Sequence, residues 1–581
     1  MTTKGDFMNN TKKILIGGVL ASVLSVTLMT QTDGGFFSNL FGGSSSSAGG
    51  SSSSVDFKTM LSHVPADTTY MLANKEAIPE DVMNAYMSRS QDMLKIFAKM
   101  QYKTAKTGKK PEDKALAFYM ALMSEWSDKA VNGKYEDTGF SLKSKYILYG
   151  YKLMPVMRIS ITDKAKVMES LKRAEDESGY KLKLDKCGEY ECFKNEVEGG
   201  PKLAVVLLKD QLVASVFSKE TSTDVMNHLI GKADPKESYS EDRWKKFLKD
   251  NKYKGYGDGF INLKKIYNLN KDTLVADILK DNGMPEEEMK ACVGVIDDHV
   301  NNMPGIIFGI TDLDAASMGY EMVFQTSESV SSVLQEIANK TNIAKRSVDP
   351  IFSMGLNPNT KKLGEALTTY SNFLIKSGET HKCQSVVATD IRKGMGGILV
   401  SMNMGLKQLK SIYVSLNDLK LDETMKPKKL DVFLSIGSDD PAGLLAMAAM
   451  MSPNLAKIKV PADGTAITLP AGVIPSGGMP IPPISISRSD KAINFMIGND
   501  KPDLKDYKGT KPEIMSFALD GKRYYEIIGD FLKVVPQSKA TGEDTKELAE
   551  MMTSMGGMMG KIQQEVSADK RGLVLDNHIK Y

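Results

Sequence analysis

Gly42 to Ser54 consists of glycine, serine and a single alanine. Thirteen residues whose only apolar side chain is one methyl group have almost nothing to pack into a core, so the run reads as a flexible linker that cuts the chain in two. A coil of that length has a root-mean-square span of roughly 20 Å. Whatever holds the segment before it therefore keeps the body, Val55 to Tyr581, within a short radius.

That preceding segment has the layout of an export signal. Lys12 and Lys13 precede Ile14 to Met29, an uncharged and mostly apolar run of sixteen residues. As a helix it spans roughly 24 Å, short of the roughly 30 Å hydrocarbon core of a bilayer. Residues 1–32 are read as a signal peptide or signal anchor that directs the body to the periplasm. Cleavage and retention at the inner membrane through residues 14–29 both stay open. No Ala-x-Ala site follows, and Val23-Leu24-Ser25 and Thr30-Gln31-Thr32 are poor substitutes. Met8 heads a more usual basic start than Met1, and because Cys187 is the first cysteine no lipid-bearing cysteine is expected. Residues 33–54 comprise a stub with Phe36, Phe37, Leu40 and Phe41, then the linker. Its rings suit a lipid interface, and a poorly ordered remnant is the plainer reading.

The chain carries no charge excess that would name a polyanionic partner. Lys and Arg number 75 against 72 Asp and Glu, a net charge of +3, which argues against a nucleic-acid binder. With 41% hydrophobic and 25% charged residues in 581, the composition is that of ordinary globular domains, with material for several folded units.

Apolar residues in the body follow helical and strand periods in turn. Pro79 with Glu80 and Asp81 opens a helix, because proline loses nothing at the first helical position and acids face the positive end of the dipole. Met83, Tyr86, Met93, Phe97 and Met100 continue it, and Leu116, Tyr119 or Met120, Met123 and Trp126 mark a second helix antiparallel to the first. Tyr146 to Tyr151 and Val156 to Thr162 read as strands, after which Asp163 caps a helix with Val167, Leu171 and Ala174 on its buried face. Tyr180 to Leu184 and Cys192 to Val197 read as further strands, and Leu203 to Leu208 with Leu212 to Phe217 as a hairpin about Lys209-Asp210-Gln211. Helices interrupt short, turn-bounded strands without a regular beat. The expected class is α+β, with antiparallel sheets and packed helices.

The second half offers a similar series in the same order, which predicts an internal duplication. Val156 to Thr162, Asp163 with its helix, Lys181 to Leu184 and the hairpin to Phe217 have counterparts in Leu430 to Ile436, Asp439 and Asp440 with an Ala/Met-rich helix, Ala456 to Val460, and Ile484 to Ser487 with Ala492 to Ile497. Phe260 to Tyr267 matches Phe517 to Tyr524 in type, and Gly319 to Phe324 matches Gly572 to Leu575. The expected halves are 55–340, including the N-terminal helical hairpin, and 341–581, with Thr341 to Pro358 as junction and Pro470 to Pro483 as an insertion.

Val64-Pro65-Ala66-Asp67-Thr68-Thr69-Tyr70-Met71-Leu72-Ala73-Asn74, followed by Ile78-Pro79-Glu80, resembles the opening of a group of exported bacterial proteins of unknown function. Tyr149-Gly150-Tyr151-Lys152-Leu153-Met154-Pro155-Val156-Met157-Arg158-Ile159 looks like a second shared stretch. The likeness covers about a tenth of the chain, implies an exported Gram-negative protein and carries no activity.

Motifs for chemistry are scarce. His63, His228, His299, His381 and His578 are far apart in sequence and none has metal-ligand spacing, so structural or exposed roles are expected. Gly394 to Gly397 lacks the lysine and strand of a phosphate loop. Asp312, Asp314, Ser317 and Glu321 have only a loose likeness to a calcium loop, and a turn is preferred. Methionine is abundant at 36 residues, and Met552, Met555 and Met558 would stack three thioethers on one helical face. Cu(I) ligation and a Met-lined apolar groove are the functional options, and adaptable core filling is preferred. Cys187 and Cys192 flank a chain reversal, Gly188 to Glu191, short enough to bridge them. An oxidising compartment would close that disulfide. Pairing of Cys292 and Cys383 is not readable. No catalytic, cofactor or metal site is expected. The favoured reading is a non-enzymatic cell-envelope scaffold binding an envelope protein or cell-wall component, with a carrier or sensor of an apolar ligand as the alternative. An enzyme whose chemistry leaves no motif is the third class.

Overall fold

The computed structural model describes residues 55–86, 88–89, 114–141, 143–196, 202–217, 222–271, 296–346, 349–369, 408–422, 427–451, 453–470, 473, 482–498, 504–534, 549–550, 552–556 and 559–581. The export segment, stub and linker fall outside these residues, as do His381, Gly394 to Gly397, Cys292, Cys383 and Met558. The chain divides into two compact units, residues 1–261 with 307–320 and 581, and residues 262–306 with 321–580. Both are α+β, with antiparallel strand pairing.

At the centre of the first unit lies Tyr70–Asn74 (β1), buried along its whole length. It pairs on one side with Tyr146–Tyr151 (β2), which pairs with Met154–Ser160 (β3) through a two-residue turn at Lys152 and Leu153. Leu184–Cys187 (β4), Tyr190–Glu196 (β5), Lys202–Leu207 (β6) and Gln211–Phe217 (β7) form a meander whose last strand pairs with β3. On its other side β1 pairs with Tyr256–Ile261 (β8). The order is therefore β4-β5-β6-β7-β3-β2-β1-β8. Residues 307–313 of Gly305–Leu313 (β9) and 317–320 of Ser317–Gln325 (β10) complete this unit.

Alternation along these strands serves two cores, one on each face. Met71, Ile147, Tyr149, Val156, Val206 and Val213 meet Phe57, Met60 and Leu61 of helix Phe57–Ser62 and Trp244 of helix Glu241–Asn251. On the opposite face Ile159, Leu207, Leu212 and Phe193 meet Trp126 of helix Lys114–Val131 and Val167 and Leu171 of helix Lys164–Ser178. Asp163 accepts from the amides of Ala165 and Lys166 at the start of that last helix, and Gly179, at φ 68°, ends it.

The two stretches that resemble exported proteins are neighbours here. One ends in β1 and the other is the β2–β3 hairpin. Thr68 Oγ1 donates to the carbonyls of Tyr70 and Gly150 and accepts from the Gly150 amide, and a Cβ at Gly150 would lie 2.4 Å from Thr69 Oγ1.

Two expected strands shift. Residues 180–183 are not a strand, because the Leu182 amide donates to Glu175 Oε1 instead of to a ladder neighbour, and pairing starts only at Leu184. The reversal between the cysteines is two residues, Gly188 and Glu189, with Tyr190 already paired to Cys187. Gly188 has φ 67°, which glycine adopts without a Cβ clash.

In the second unit Phe352–Leu356 (β12) pairs with Leu409–Leu421 (β13), followed by Pro427–Ser438 (β14), Ala492–Ile497 (β17), Ile484–Arg488 (β16) and Ile467–Thr468 (β15). Its other side pairs with Met515–Asp520 (β19), then Lys561–Asp569 (β20) and Gly572–Lys580 (β21). The order is β15-β16-β17-β14-β13-β12-β19-β20-β21. Asn339–Arg346 (β11) and Leu504–Glu513 (β18) form a separate two-stranded ribbon. The stretch expected as the junction thus carries β11 and β12. Helix Pro441–Met451 follows β14 and packs Leu444 and Leu445 against Ile486 and Ile493. Residues 457–460, expected to repeat a strand, hold no regular structure after the short helix Pro453–Ala456.

Candidate functional site

A buried polar cluster lies in the first unit, and it begins with the pleat. Tyr149 pairs with Val156 and Ile147 with Arg158, so Tyr149 and Arg158 project from one face into an otherwise apolar core. Helix Ser222–Leu229 lies over them and ends at His228 and Leu229. Arg158 Nη2 donates to the carbonyls of His228 (3.1 Å) and Leu229 (3.3 Å), Nη1 to Gln211 Oε1 (3.3 Å) and Nε to Tyr149 Oη (3.3 Å). A guanidinium is thereby held by neutral oxygens at the negative end of a helix.

The proton directions follow from the partners. His228 Nδ1 lies 3.1 Å from the Ala233 carbonyl, which only accepts, so Nδ1 carries the hydrogen. Nε2, 2.7 Å from Tyr149 Oη, then accepts the phenol proton. The imidazole is neutral: burial pushes its pKa down to about 4, and the Arg158 charge acts in the same direction. Burial likewise raises the Tyr149 phenol. Tyr151 stacks on the imidazole, ring centroids 3.8 Å apart, and shares Asp224 with Lys152.

His63 reaches the same neighbourhood. Its Nδ1 lies 2.7 Å from Asp234 Oδ1, and burial and the Arg158 charge lower its pKa against the pull of Asp234. The loop 230–234 therefore supplies partners to both histidines, and a Cβ on Gly188 in the disulfide hairpin would lie 3.2 Å from Ile230 Cδ1. Cys187 and Cys192 are disulfide-bonded, with Cα atoms 5.7 Å apart and both side chains buried.

Chemically the cluster is a staple. Tyr149, Arg158 and His228 are each 0% exposed, so none can touch a substrate, and their hydrogen bonds tie β2, β3 and β7 to the helix above. Elsewhere in the unit a buried acid, Asp258, accepts from the amides of Gly255 (2.6 Å) and Ile310 (2.8 Å), while burial pushes its pKa up to about 7. Reading His63 and His228 as separate residues missed the shared neighbourhood. The available signal was Arg158, a charge alternating with Val156 on a strand face.

Other sequence-predicted groups stay apart. Asp314 accepts from the Ala316 and Ser317 amides and the Ser317 hydroxyl, closing a turn, and Glu321 is bidentate to Arg571 at 2.8 and 2.7 Å. His299 and His578 are exposed. Met552 and Met555 are half-buried in the helical residues 552–556, whose Gly556 lies close to Lys522 and Tyr525 of helix Gly521–Val534. Among the described residues no group of three or more His, Cys, Asp or Glu is placed to hold a metal ion, and no helix is long and apolar enough to cross a membrane. No protein-family model, curated protein or solved structure matches the chain.

Proposed function

We propose that the protein is an exported, non-enzymatic scaffold of the cell envelope whose body binds an envelope protein or a cell-wall component, held near the inner membrane or released from it. The observation that carries this reading is the buried Cys187–Cys192 disulfide. Such bridges persist in oxidising compartments, and the basic and apolar start with its Gly/Ser linker is the arrangement that delivers a body there. The likeness of Val64 to Asn74 and Tyr149 to Ile159 to exported proteins adds weight because those segments bond to one another. Fractionation of the native host tests the reading: it predicts recovery from the periplasm or inner membrane, with Cys187 and Cys192 resistant to thiol labelling before reduction. Recovery from the cytosol with both thiols free would sink it.

The scaffold is further inferred to be an internal duplication. In support, β6-β7-β3-β2-β1-β8 and β16-β17-β14-β13-β12-β19 run in the same order, all antiparallel, with a helix after β3 and β14 and another after β8 and β19. The carrier alternative draws on one observation, the half-buried apolar face of the second unit's sheet, including Met354, Val414 and Leu434. Saturable binding of a lipophilic dye by the full chain would favour it.

A further inference from the structure

Helix Pro441–Met451 has no polar side chain on any side, yet it lies at the surface. Leu444 and Leu445 turn toward the sheet and pack with Ile486 and Ile493. The opposite face, Ala442, Ala446 and Met450 at steps of four, meets water, with Met450 78% exposed. A helix that is apolar all round belongs in a core or in lipid, whereas a helix against water carries polar residues on its outer face. Single exposed apolar residues are ordinary, but here all three outward positions are of that kind.

The charges around the helix lie beyond its two ends. Asp439 pairs with Lys410 at 2.8 Å, and Asp440 accepts from the Gly443 amide at 2.9 Å, so the acids at the start are engaged. The next charged residue is Lys457, followed by Lys459. Both are exposed, and neither has an acidic partner among the described residues. Sixteen residues, 441–456, thus carry no charge and end in two exposed lysines.

We propose that this helix beds into the membrane that the chain's own tether brings within reach, with Lys457 and Lys459 on anionic lipid headgroups. The chain outside the described residues argues for lipid as the occupant: Ile14 to Met29 is an apolar run suited to a bilayer, and the Gly42 to Ser54 linker spans only roughly 20 Å. A face without a hydrogen-bonding side chain asks for a partner that offers none, and acyl chains meet that condition. At about 16 Å the helix is too short to cross the roughly 30 Å hydrocarbon core, so it lies at the boundary of acyl chains and headgroups. Lysines just past the end of such a segment extend into the headgroup layer, where anionic lipid attracts them.

This rests on the scaffold reading and deepens it by adding a second contact with the membrane, separate from residues 14–29. The test uses the full chain reconstituted in vesicles of phosphatidylglycerol and phosphatidylcholine, with and without bromine on the acyl chains. Trp126 and Trp244 of the parent are buried and set the background. Met450→Trp should add a blue-shifted emission that the brominated lipid quenches, and Ala446→Asp in the same chain should abolish that quenching. Ala446→Gln takes its place if the acid unfolds the helix. An unquenched emission at the wavelength of water-exposed tryptophan, or quenching that survives the Ala446 substitution, would overturn the proposal. So would a blue shift without bromine quenching that fades as the protein is diluted into lipid, which would assign the face to a second copy. An unquenched Met450→Trp chain in a protein that still fractionates with the envelope removes the lipid contact and leaves the scaffold reading standing, whereas recovery from the cytosol removes both.

Discussion

Arg158 and Asp258 show two ways of burying charge. The guanidinium takes three neutral carbonyl or amide oxygens and a phenol, whereas the carboxylate takes backbone amides and is held up to about pKa 7 by burial. His228, pushed down to about 4, has the opposite linkage. Its depressed value means that the unfolded chain binds the proton more tightly, so His228 contributes stability above pH 6.5 that is lost as pH falls toward 4, roughly 3 kcal/mol in all. Asp258, raised from 3.8, contributes stability below pH 3.8 that is lost as pH rises through about 7, roughly 4 kcal/mol. The two slopes oppose each other between pH 4 and 7. Asp258→Asn should therefore gain stability with rising pH more steeply than the parent, and His228→Gln should lose it; parallel denaturant midpoints for all three proteins would contradict the assignment. Both groups escaped the sequence because, beside a local partner, each has one 50 or more residues away: Asp258 meets Ile310 as well as Gly255, and His228 meets Tyr149 as well as Ala233.

Among the elements, local chemistry was readable wherever the partner lies within a few residues. Asp163, followed by Val167, Leu171 and Ala174 at helical spacing, marks the start and the buried face of Lys164–Ser178, and the side chain makes both capping bonds. Asp163→Ala should cost about 1 kcal/mol in chemical denaturation, with Asp163→Asn largely sparing it. The β2–β3 hairpin and the β6–β7 hairpin also follow their alternation, whereas residues 180–183 look like a strand and are diverted by Glu175 and by Asp176, which pairs with Lys181. A β ladder depends on a free neighbour, which period alone cannot show. In the adjacent hairpin the disulfide closes a short loop, so replacing Cys187 and Cys192 together by Ala should lower stability by about 2 kcal/mol without abolishing folding. A reductant titration of the parent protein should reach the same midpoint.

At the scale of the whole molecule, the proposed tether has a consequence for proteolysis. Protease treatment of membranes should cut within residues 36–54 and release a body that resists further digestion and begins near Val55; mass spectrometry of the released fragment checks both ends. Loss of the body to small peptides instead would mean that the linker is not the most accessible segment. The recurrence of one strand order in both units gives the inferred duplication a consequence as well. The places ahead of β1 and β12, and between β7 and β8 or β17 and β19, are where the two units differ, helices in one and the β11–β18 ribbon in the other. Divergence after duplication would concentrate there, on one face of each sheet.

Legible along the chain was what depends on near neighbours: the Asp163 cap, the hairpin Leu203 to Phe217, the cysteine pair close enough to bridge, and the α+β class. Tertiary structure alone decided which face of a patterned sheet is buried. Alternation separates Ser435 and Asn494 from Leu434 and Phe495 without saying which set meets water: Ser435 and Asn494 are buried, Met354, Val414 and Leu434 are half-buried, and only where helix Pro441–Met451 covers Ile486 and Ile493 is the apolar face fully inside. It also decided that Arg158, His228 and Tyr149 share one network. Pattern is a property of a few consecutive residues, whereas burial and polar partnership are set by what other segments bring to the same place, and that assembly is long-range.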